Sequence, residues 1–147
     1  MTREDQDRGG LHRLIYASRF TGAECDFDEV LRAVITKSIQ NNRLDDVTGF
    51  LVAGEGRFLQ LLEGPAAAVD AVYARIGRDP RHADLALIHN DHADRRLFRD
   101  WNMGQHRISE ADRALLAEAG LSRFDPAILD AQAAEKLLMT AGGRHLR

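Results

Sequence analysis

A hairpin near the middle of the chain constrains the fold most. Two apolar runs, residues 47–53 and 57–63, flank the short segment Gly54-Glu55-Gly56. A short Gly-containing connection between two such runs is typical of a β-hairpin. Because an isolated hairpin is at best marginally stable in water, other strands and helices must cover it. The sequence therefore predicts a sheet built around residues 47–63.

Apolar periodicity predicts five strands and two helices in an interleaved order. A strand of alternating polarity is followed by a helix that Asp26 can cap, with apolar residues at three- and four-residue steps. Gly64-Pro65 predicts the start of the second helix and Asp79-Pro80 its end. The predicted order is strand 11–18, helix from Phe27, strands 47–53 and 57–63, helix from Pro65, and strands 83–89 and 97–103. Interspersed helices favour an α+β fold, a mixed sheet with both helices on one face.

Two further helices are predicted after this sheet. Ser109 and Asp112 form a capping pattern before residues 111–119, and a last helix over 127–141 ends at Gly142-Gly143. Their weak apolar faces could cover the other face of the sheet or bind a partner. The predicted division is a flexible tail at 1–10, a domain at 11–106 and a helical extension at 107–147.

Length and charge exclude several classes of protein. A chain of 147 residues is most consistent with one domain, and a net charge of −3 argues against a nucleic-acid-binding protein. No apolar run reaches the ~20 residues of a membrane-spanning helix, and no secretory signal is evident, so we expect a cytoplasmic protein. One cysteine, Cys25, excludes an internal disulfide and a multi-cysteine zinc site.

No metal site is predicted. A group of polar residues (His89, Asp91, His92 and Asp94) could be read as a metal cluster, but its position between two predicted strands favours a solvated turn. Cys25 stands beside the acidic Asp26, which would not stabilise a thiolate, so a catalytic cysteine is not expected.

Uncharged polar side chains occupy faces that are predicted to be buried. Gln60 alternates with Phe58 and Leu62, Tyr16 shares a face with Leu14, and the apolar stripe of the first helix runs on into Ser38, Asn41 and Asn42. A buried amide or phenol without a partner costs about 1–3 kcal/mol, so each of these groups needs one. They could satisfy one another, or they could together bind a neutral planar ligand rich in carbonyl and ring N–H groups.

These residues belong to a series of motifs that resembles the BLUF domain, the family of blue-light sensors that bind FAD. The motifs cover residues 11–106 in family order: LIYAS (14–18), NN (41–42), VTGFL (47–51), GRFLQ (56–60), LLEGP (61–65), YARI (73–76), DPRH (79–82) and WNMG (101–104). The resemblance implies a ferredoxin-like βαββαββ sheet, with the flavin ring held between the two helices.

The resemblance also implies roles for individual residues. Tyr16 matches the tyrosine that donates an electron and a proton to the excited flavin. Gln60 matches the glutamine whose hydrogen bonds rearrange, by rotation or tautomerisation, to give a red-shifted signalling state. Asn42 matches the asparagine at the flavin carbonyl edge, and Asn41 and Ser38 are expected in the same site.

For four further positions, the resemblance implies a functional role but a purely structural role is also possible. Arg75 and Asp79 match positions beside the ribityl chain, but one turn apart they could simply form a surface ion pair. Trp101 and Met103 match a pair thought to exchange places near the glutamine, but such residues are more often ordinary core side chains. Asn102 stands where many relatives have serine, and Asn41 where some have histidine.

The sequence therefore predicts a blue-light photoreceptor with non-covalently bound FAD and no substrate turnover. We expect a homo-oligomer that passes its signal to another protein, with residues 111–119 and 127–141 as a coupling or dimer surface. A small ferredoxin-like enzyme, either an acylphosphatase-like hydrolase or a flavin reductase, is the alternative. It would need a phosphate-binding loop, an activated nucleophile or an open flavin face, and no Gly-rich phosphate motif is present.

Overall fold

The computed structural model describes residues 10–143. Most of the predicted tail at 1–10, and residues 144–147, lie outside the described residues. Within the described range, no helix is long and apolar enough to cross a membrane.

Within residues 10–143, five strands form one mixed sheet. They are β1 (Leu11–Phe20), β2 (Thr48–Gly54), β3 (Arg57–Pro65), β4 (His82–His92) and β5 (Gly104–Arg107). Their order across the sheet is β4-β1-β3-β2-β5, with the β2–β5 pair parallel and the other pairs antiparallel. The central hairpin turns through Glu55 and Gly56, both at positive φ. The predicted α+β class and strand–helix order are confirmed.

In the described part of the chain, four helices accompany the sheet. They are α1 (Phe27–Asp45), α2 (Ala66–Gly77), α3 (Arg113–Glu118) and α4 (Ala131–Gly143), with single 3-10 turns at Glu24–Asp26, Glu110–Asp112 and Pro126–Ile128. The predicted cap before α3 is present, since Ser109 N donates to Asp112 Oδ2 at 2.8 Å. The predicted cap by Asp26 is wrong, because its side chain makes no capping hydrogen bond at the start of α1.

Alternate residues of the strands form two separate cores. On the front face, α1 and α2 pack against Leu14, Leu51 and Leu62. On the back face, the segment after β5 packs against Ile15, Phe50, Leu59, Leu61 and neighbouring apolar side chains. The back-face cover is contributed by Leu115, Leu116, Leu121, Phe124, Leu129, Ala134, Leu137, Leu138 and Ala141. The C-terminal helices thus cover the other face of the sheet, one of the two predicted alternatives.

The predicted strand at 97–103 is wrong. These residues belong to the β4–β5 loop (residues 93–103), and the last strand begins only at Gly104. The amides of Leu97 and Phe98 donate to the carboxylate of Glu63, so they cannot pair with a neighbouring strand. Gly104 permits the strand to begin there, because a Cβ atom would lie 2.6 Å from the ring of Trp101.

β4 is longer than the predicted strand at 83–89. His89, Asp91 and His92 therefore lie on the strand and not in a turn, and only Asp94 belongs to the following loop. Among residues 10–143, no group of three or more His, Cys, Asp or Glu side chains is arranged to hold a metal ion.

Candidate functional site

A cleft between α1 and α2 opens onto the front face of the sheet. It has an inner recess of about 50 Å³ and an outer recess of about 170 Å³. Both recesses are lined by Val34, Ser38, Gln60, Ile76, Asp79 and Arg81. The inner recess adds Tyr16, Val30, Leu51, Phe58 and His82, and the outer one adds Lys37, Asn41, Asn42, Val72 and Arg75. One continuous cleft is therefore lined by all seven residues that the sequence analysis places at the flavin, namely Tyr16, Ser38, Asn41, Asn42, Gln60, Arg75 and Asp79.

A chain of hydrogen bonds crosses the floor of this cleft. Tyr16 and Gln60 are register partners on β1 and β3, which places their side chains next to each other. Tyr16 Oη donates to Gln60 Oε1 at 2.5 Å, and Gln60 Nε2 donates to Met103 Sδ at 3.2 Å. All three side chains are buried. The amide therefore has a defined orientation, with its carbonyl toward the phenol and its NH2 group toward the thioether.

Burial keeps the phenol of Tyr16 neutral. Desolvation raises the pKa of Tyr16 far above its ordinary value, and the neighbouring Tyr73 and Asp79 raise it further. The Tyr73 ring lies 5.4 Å from that of Tyr16, centroid to centroid. At neutral pH, Tyr16 thus holds its proton in the bond to Gln60.

Three polar residues of α1 line the outer recess of the cleft. Ser38, Asn41 and Asn42 follow the i, i+3, i+4 spacing of one helix face, as the sequence predicts. Asn42 is buried, and its Nδ2 donates to the backbone oxygen of Asn102 at 2.9 Å. Asn102 Nδ2 in turn donates to Val47 O at 3.2 Å. The end of α1 is therefore tied to the β4–β5 loop.

The alternative of an ion pair between Arg75 and Asp79 is wrong. α2 ends at Gly77, so Asp79 does not continue the helical flank on which Arg75 lies. Arg75 is instead 3.5 Å from Asp45, and Asp79 accepts hydrogen bonds from the backbone and guanidinium of Arg81. The hydrogen bond from Arg81 holds the pKa of Asp79 below its ordinary value.

Trp101 and Met103 point into different cores. The sequence places them on one face of a strand, but the loop that carries them turns between the two residues. Met103 is buried in the front core beside Gln60. Trp101 is half-buried and packs on Phe50 and Phe98 in the back core, with ring centroids 5.3 and 6.1 Å away.

Arg81 and His82 are lining residues that the sequence reasoning did not select. Both belong to the quoted motif at 79–82, which was the available signal. His82 Nε2 lies 2.7 Å from the carbonyl of Ile76, which can only accept, so this nitrogen carries the proton. His82 Nδ1 then accepts from the hydroxyl of Ser18 at 2.9 Å. These two hydrogen bonds orient the ring, whose centroid lies 6.4 Å from that of Tyr16.

The chemistry of the lining fits a flavin. Neutral amide and hydroxyl groups can pair with ring carbonyl and N–H groups, and Val34 and Ile76 provide apolar contacts from the two helices. The outer recess adds the cationic side chains Lys37 and Arg75, which suit the phosphates of a nucleotide cofactor.

Comparison with known proteins decides the family. The family model described as "Sensors of blue-light using FAD" matches residues 11–104. The chain belongs to the BLUF family. It is therefore a flavin-binding blue-light sensor domain, as the motifs predict.

Individual relatives are similar over the same region. One is the blue light- and temperature-regulated antirepressor BluF of Escherichia coli, 36% identical over 78% of this chain and 29% of that protein. Another is the photoactivated adenylate cyclase subunit beta of Euglena longa, 32% identical over 67% of this chain. The match spans only 11% of that cyclase subunit.

Solved BLUF structures share the fold over most of the chain. The photo-activated state of BlsA is similar with a TM-score of 0.82 and 25% identity, covering 89% of this chain and 94% of that one. The similarity thus reaches beyond the residues that the family model matches.

Proposed function

We propose that this BLUF protein binds FAD non-covalently in the cleft and uses Tyr16 and Gln60 as its photochemical pair. The observation that carries the proposal is the buried chain of hydrogen bonds from the Tyr16 phenol through the Gln60 amide to the Met103 sulfur. Ser38, Asn41 and Asn42 would bind polar groups of the flavin ring, and Arg75 and Asp79 would lie beside its ribityl chain. FAD, and not FMN, is proposed because the family description specifies it.

Tyr16 is suited to release an electron and a proton together. FAD, when bound, absorbs blue light and accepts an electron in its excited state. Tyr16 is neutral before this event because burial opposes its ionisation. Oxidation makes the phenolic proton strongly acidic, and Gln60 Oε1, 2.5 Å from Tyr16 Oη, is the nearest acceptor shown for it.

The Gln60 amide can hold a changed pattern of hydrogen bonds after illumination without forming a covalent product. Its carbonyl accepts and its NH2 group donates, so rotation or tautomerisation changes which neighbour receives a hydrogen bond. A rotated amide would direct its oxygen toward Met103, whose sulfur is an acceptor and cannot donate to it. The contact between Gln60 and Met103 is therefore lost when the amide turns, and the change reaches the β4–β5 loop.

The output is proposed to be delivered in trans to a protein partner, without substrate turnover. The related antirepressor shows by its name that a BLUF protein can act through regulation of another protein. Assembly into homo-oligomers and a cytoplasmic location stay predictions. The match to the family of blue-light sensors favours this function over the enzyme alternative.

The test is a spectroscopic one. Protein purified in the dark is expected to be yellow, to release FAD on denaturation, and to show a small reversible red shift under blue light. A preparation that stays colourless after incubation with FAD would disprove the proposal. Consumption of NADH by the flavin-loaded protein would instead support the reductase alternative.

Two variants test the pair itself. Tyr16→Phe and Gln60→Leu should bind FAD but lose the normal red-shifted state. Tyr73→Phe is the matched control, since it removes the same hydroxyl from the neighbouring ring outside the chain of hydrogen bonds. A wild-type shift in Tyr16→Phe or Gln60→Leu would remove that residue from the mechanism.

A further inference from the structure

A fully buried ionisable side chain lies on the back face of the sheet. Glu63 follows Leu59 and Leu61 along the apolar side of β3 and has 0% relative exposure. Burying a carboxylate is costly unless it is paired and hydrogen-bonded. Such a group in an otherwise apolar face therefore needs a specific set of partners.

The partners of Glu63 are mostly backbone amides of the β4–β5 loop. Leu97 N lies 2.8 and 2.9 Å from the two carboxylate oxygens, and Phe98 N donates to Oε1 at 3.0 Å. Arg13, the register partner of Glu63 on β1, donates from Nε to Oε2 at 2.9 Å. The carboxylate thus replaces the strand pairing that residues 97 and 98 lack.

Two arginines hold the same stretch of loop. Arg13 Nη2 donates to the backbone oxygen of Arg95 at 2.8 Å. The side chain of Arg96, itself nearly inaccessible, donates to Thr48 Oγ1 and to Asp46 O, both at 3.0 Å. Residues 95–98 are therefore fixed to β1, β3 and the α1–β2 junction.

The fixed stretch leads directly to the residues beside Gln60. After Phe98 the loop places Trp101 O where it accepts from Gly49 N at 3.0 Å, and then places Met103 Sδ 3.2 Å from Gln60 Nε2. Gln60 and Glu63 lie three residues apart on β3 with side chains on opposite faces. One strand therefore contacts both the start of the loop and its end.

We propose that Glu63 is a positioning residue of the photochemical site, which holds the backbone of Leu97 and Phe98 and thereby sets the Met103 sulfur against the Gln60 amide. This proposal rests on the proposed function of Gln60. The held loop favours the dark arrangement, in which Gln60 Nε2 donates to Met103. When the amide turns, the loop stays attached to Glu63 and favours the return of that contact in the dark.

The test compares Glu63→Gln with the flavin-loaded wild type. The neutral amide keeps the size of the side chain but turns an NH2 group toward donors, so it cannot accept all of the present hydrogen bonds. In the dark, we expect faster hydrogen exchange of the Leu97 and Phe98 amides. Trp101 is the only tryptophan, and its fluorescence should become more accessible to acrylamide. After blue light, dark recovery should be about fivefold slower.

Glu135→Gln is the matched control. It makes the same change of charge in the same network, since Glu135 Oε2 lies 3.8 Å from Arg13 Nη1, but within residues 10–143 Glu135 makes no hydrogen bond to the loop. Recovery in this variant should equal that of the wild type. Arg13→Gln should slow recovery in the same direction but less than Glu63→Gln, and it provides the test if Glu63→Gln does not fold.

The outcomes separate the two proposals. If the wild type shows a normal red shift and Glu63→Gln recovers at the wild-type rate, the positioning role is overturned and the proposed function stays intact. If Glu63→Gln does not fold, the same conclusion follows from an unchanged recovery in Arg13→Gln. Unchanged exchange of the Leu97 and Phe98 amides in the tested variant would also overturn it. Absence of any red shift in the wild type would remove the proposed function and the positioning role with it.

Discussion

The two faces of the sheet differ although the same strands build them. The back face is apolar except at its margin, where Glu63 holds a loop, and a continuous layer of side chains from residues 108–141 covers it. The front face carries Tyr16, Ser18 and Gln60 among its apolar residues, and a cleft separates the two helices above them. Adjacent residues of β3 therefore lie in different environments, since Gln60 lines the front cleft and Leu61 is packed in the apolar back core.

This difference indicates that the back face mainly provides stability and that the front face provides the chemistry. A fully packed apolar face stabilises the domain but has no groups that could exchange hydrogen bonds. A face with polar groups and a cleft can bind a cofactor, and each of its buried polar groups needs a partner. Mutations of the apolar side chains of the back face should therefore alter stability, while mutations at the polar centre of the front face should alter photochemistry.

The largest expected effect comes from exchanging polarity between adjacent residues of β3. Leu61→Gln removes a fully buried apolar side chain and places an amide in the back core, which should lower the free energy of unfolding by about 4 kcal/mol. Gln60→Leu should lower it less, by about 1–2 kcal/mol, because the Tyr16 hydroxyl loses its acceptor and the Met103 sulfur its donor while the new side chain is apolar. Urea denaturation of flavin-loaded protein in the dark measures both. Equal losses in the two variants would contradict the division between the faces.

A somewhat smaller effect is expected in the C-terminal cover. Leu138 on α4 is fully buried against the back core, so Leu138→Ala should cost about 3 kcal/mol. The red shift and the dark recovery should be unchanged at temperatures where the variant is folded. Met139→Ala is the control, since Met139 is 41% exposed, and it should cost about 0.5 kcal/mol or less. An altered photocycle in Leu138→Ala would show that the cover also takes part in signalling.

The same packing predicts what a truncation of the C-terminal helices would do. Removal of residues from Ser109 onward would expose the back core around Phe50 and Leu61 to water. Flavin binding would then be lost together with stability, and the truncated chain could not isolate a signalling role for these helices. Point substitutions at exposed positions such as Ile128, which is 68% exposed, are better probes of a partner surface.

The cleft between the two helices, with Arg75 and Asp79 in it, was predicted from the family resemblance. Strand alternation placed Tyr16 and Gln60 on buried faces, and helical spacing placed Ser38, Asn41 and Asn42 on one side of α1. These patterns are local, so they can be read from neighbours in the sequence. Which partner each polar group takes depends on distant residues, and the bond from Gln60 to Met103 could not be predicted from spacing.

The β4–β5 loop shows where local patterns fail. Leu97, Trp101 and Met103 alternate as in a strand, but a carboxylate far away in the sequence takes the amides that a strand would pair. The available signal was Glu63 itself, an acidic residue at the end of an apolar run. A buried charge in a strand indicates a nearby set of donors, yet it does not reveal which segment supplies them.

The smallest expected effect is at the rim of the front cleft, where Asp79 accepts hydrogen bonds from Arg81. That interaction lowers the pKa of Asp79, so its stabilising contribution is complete above the unfolded-state pKa of about 3.9 and is lost as the pH falls through the lower folded-state value. Because Arg81 is largely solvent-exposed, Asp79→Asn should cost only a few tenths of a kcal/mol at pH 7.

This cost should shrink below pH 4 and in 1 M salt, as measured by thermal unfolding in the dark. Arg81→Gln should reproduce the same pH dependence, and the double variant should add nothing further at low pH. A loss of several kcal/mol in the free energy of unfolding that persists at low pH would mean that Asp79 contributes to the packed core. The contrast between a packed back face and an open front cleft would then not extend to the rim. A pH-dependent cost of the expected size instead limits Asp79 to a solvated edge, where its carboxylate stays accessible to the polar side of a bound flavin.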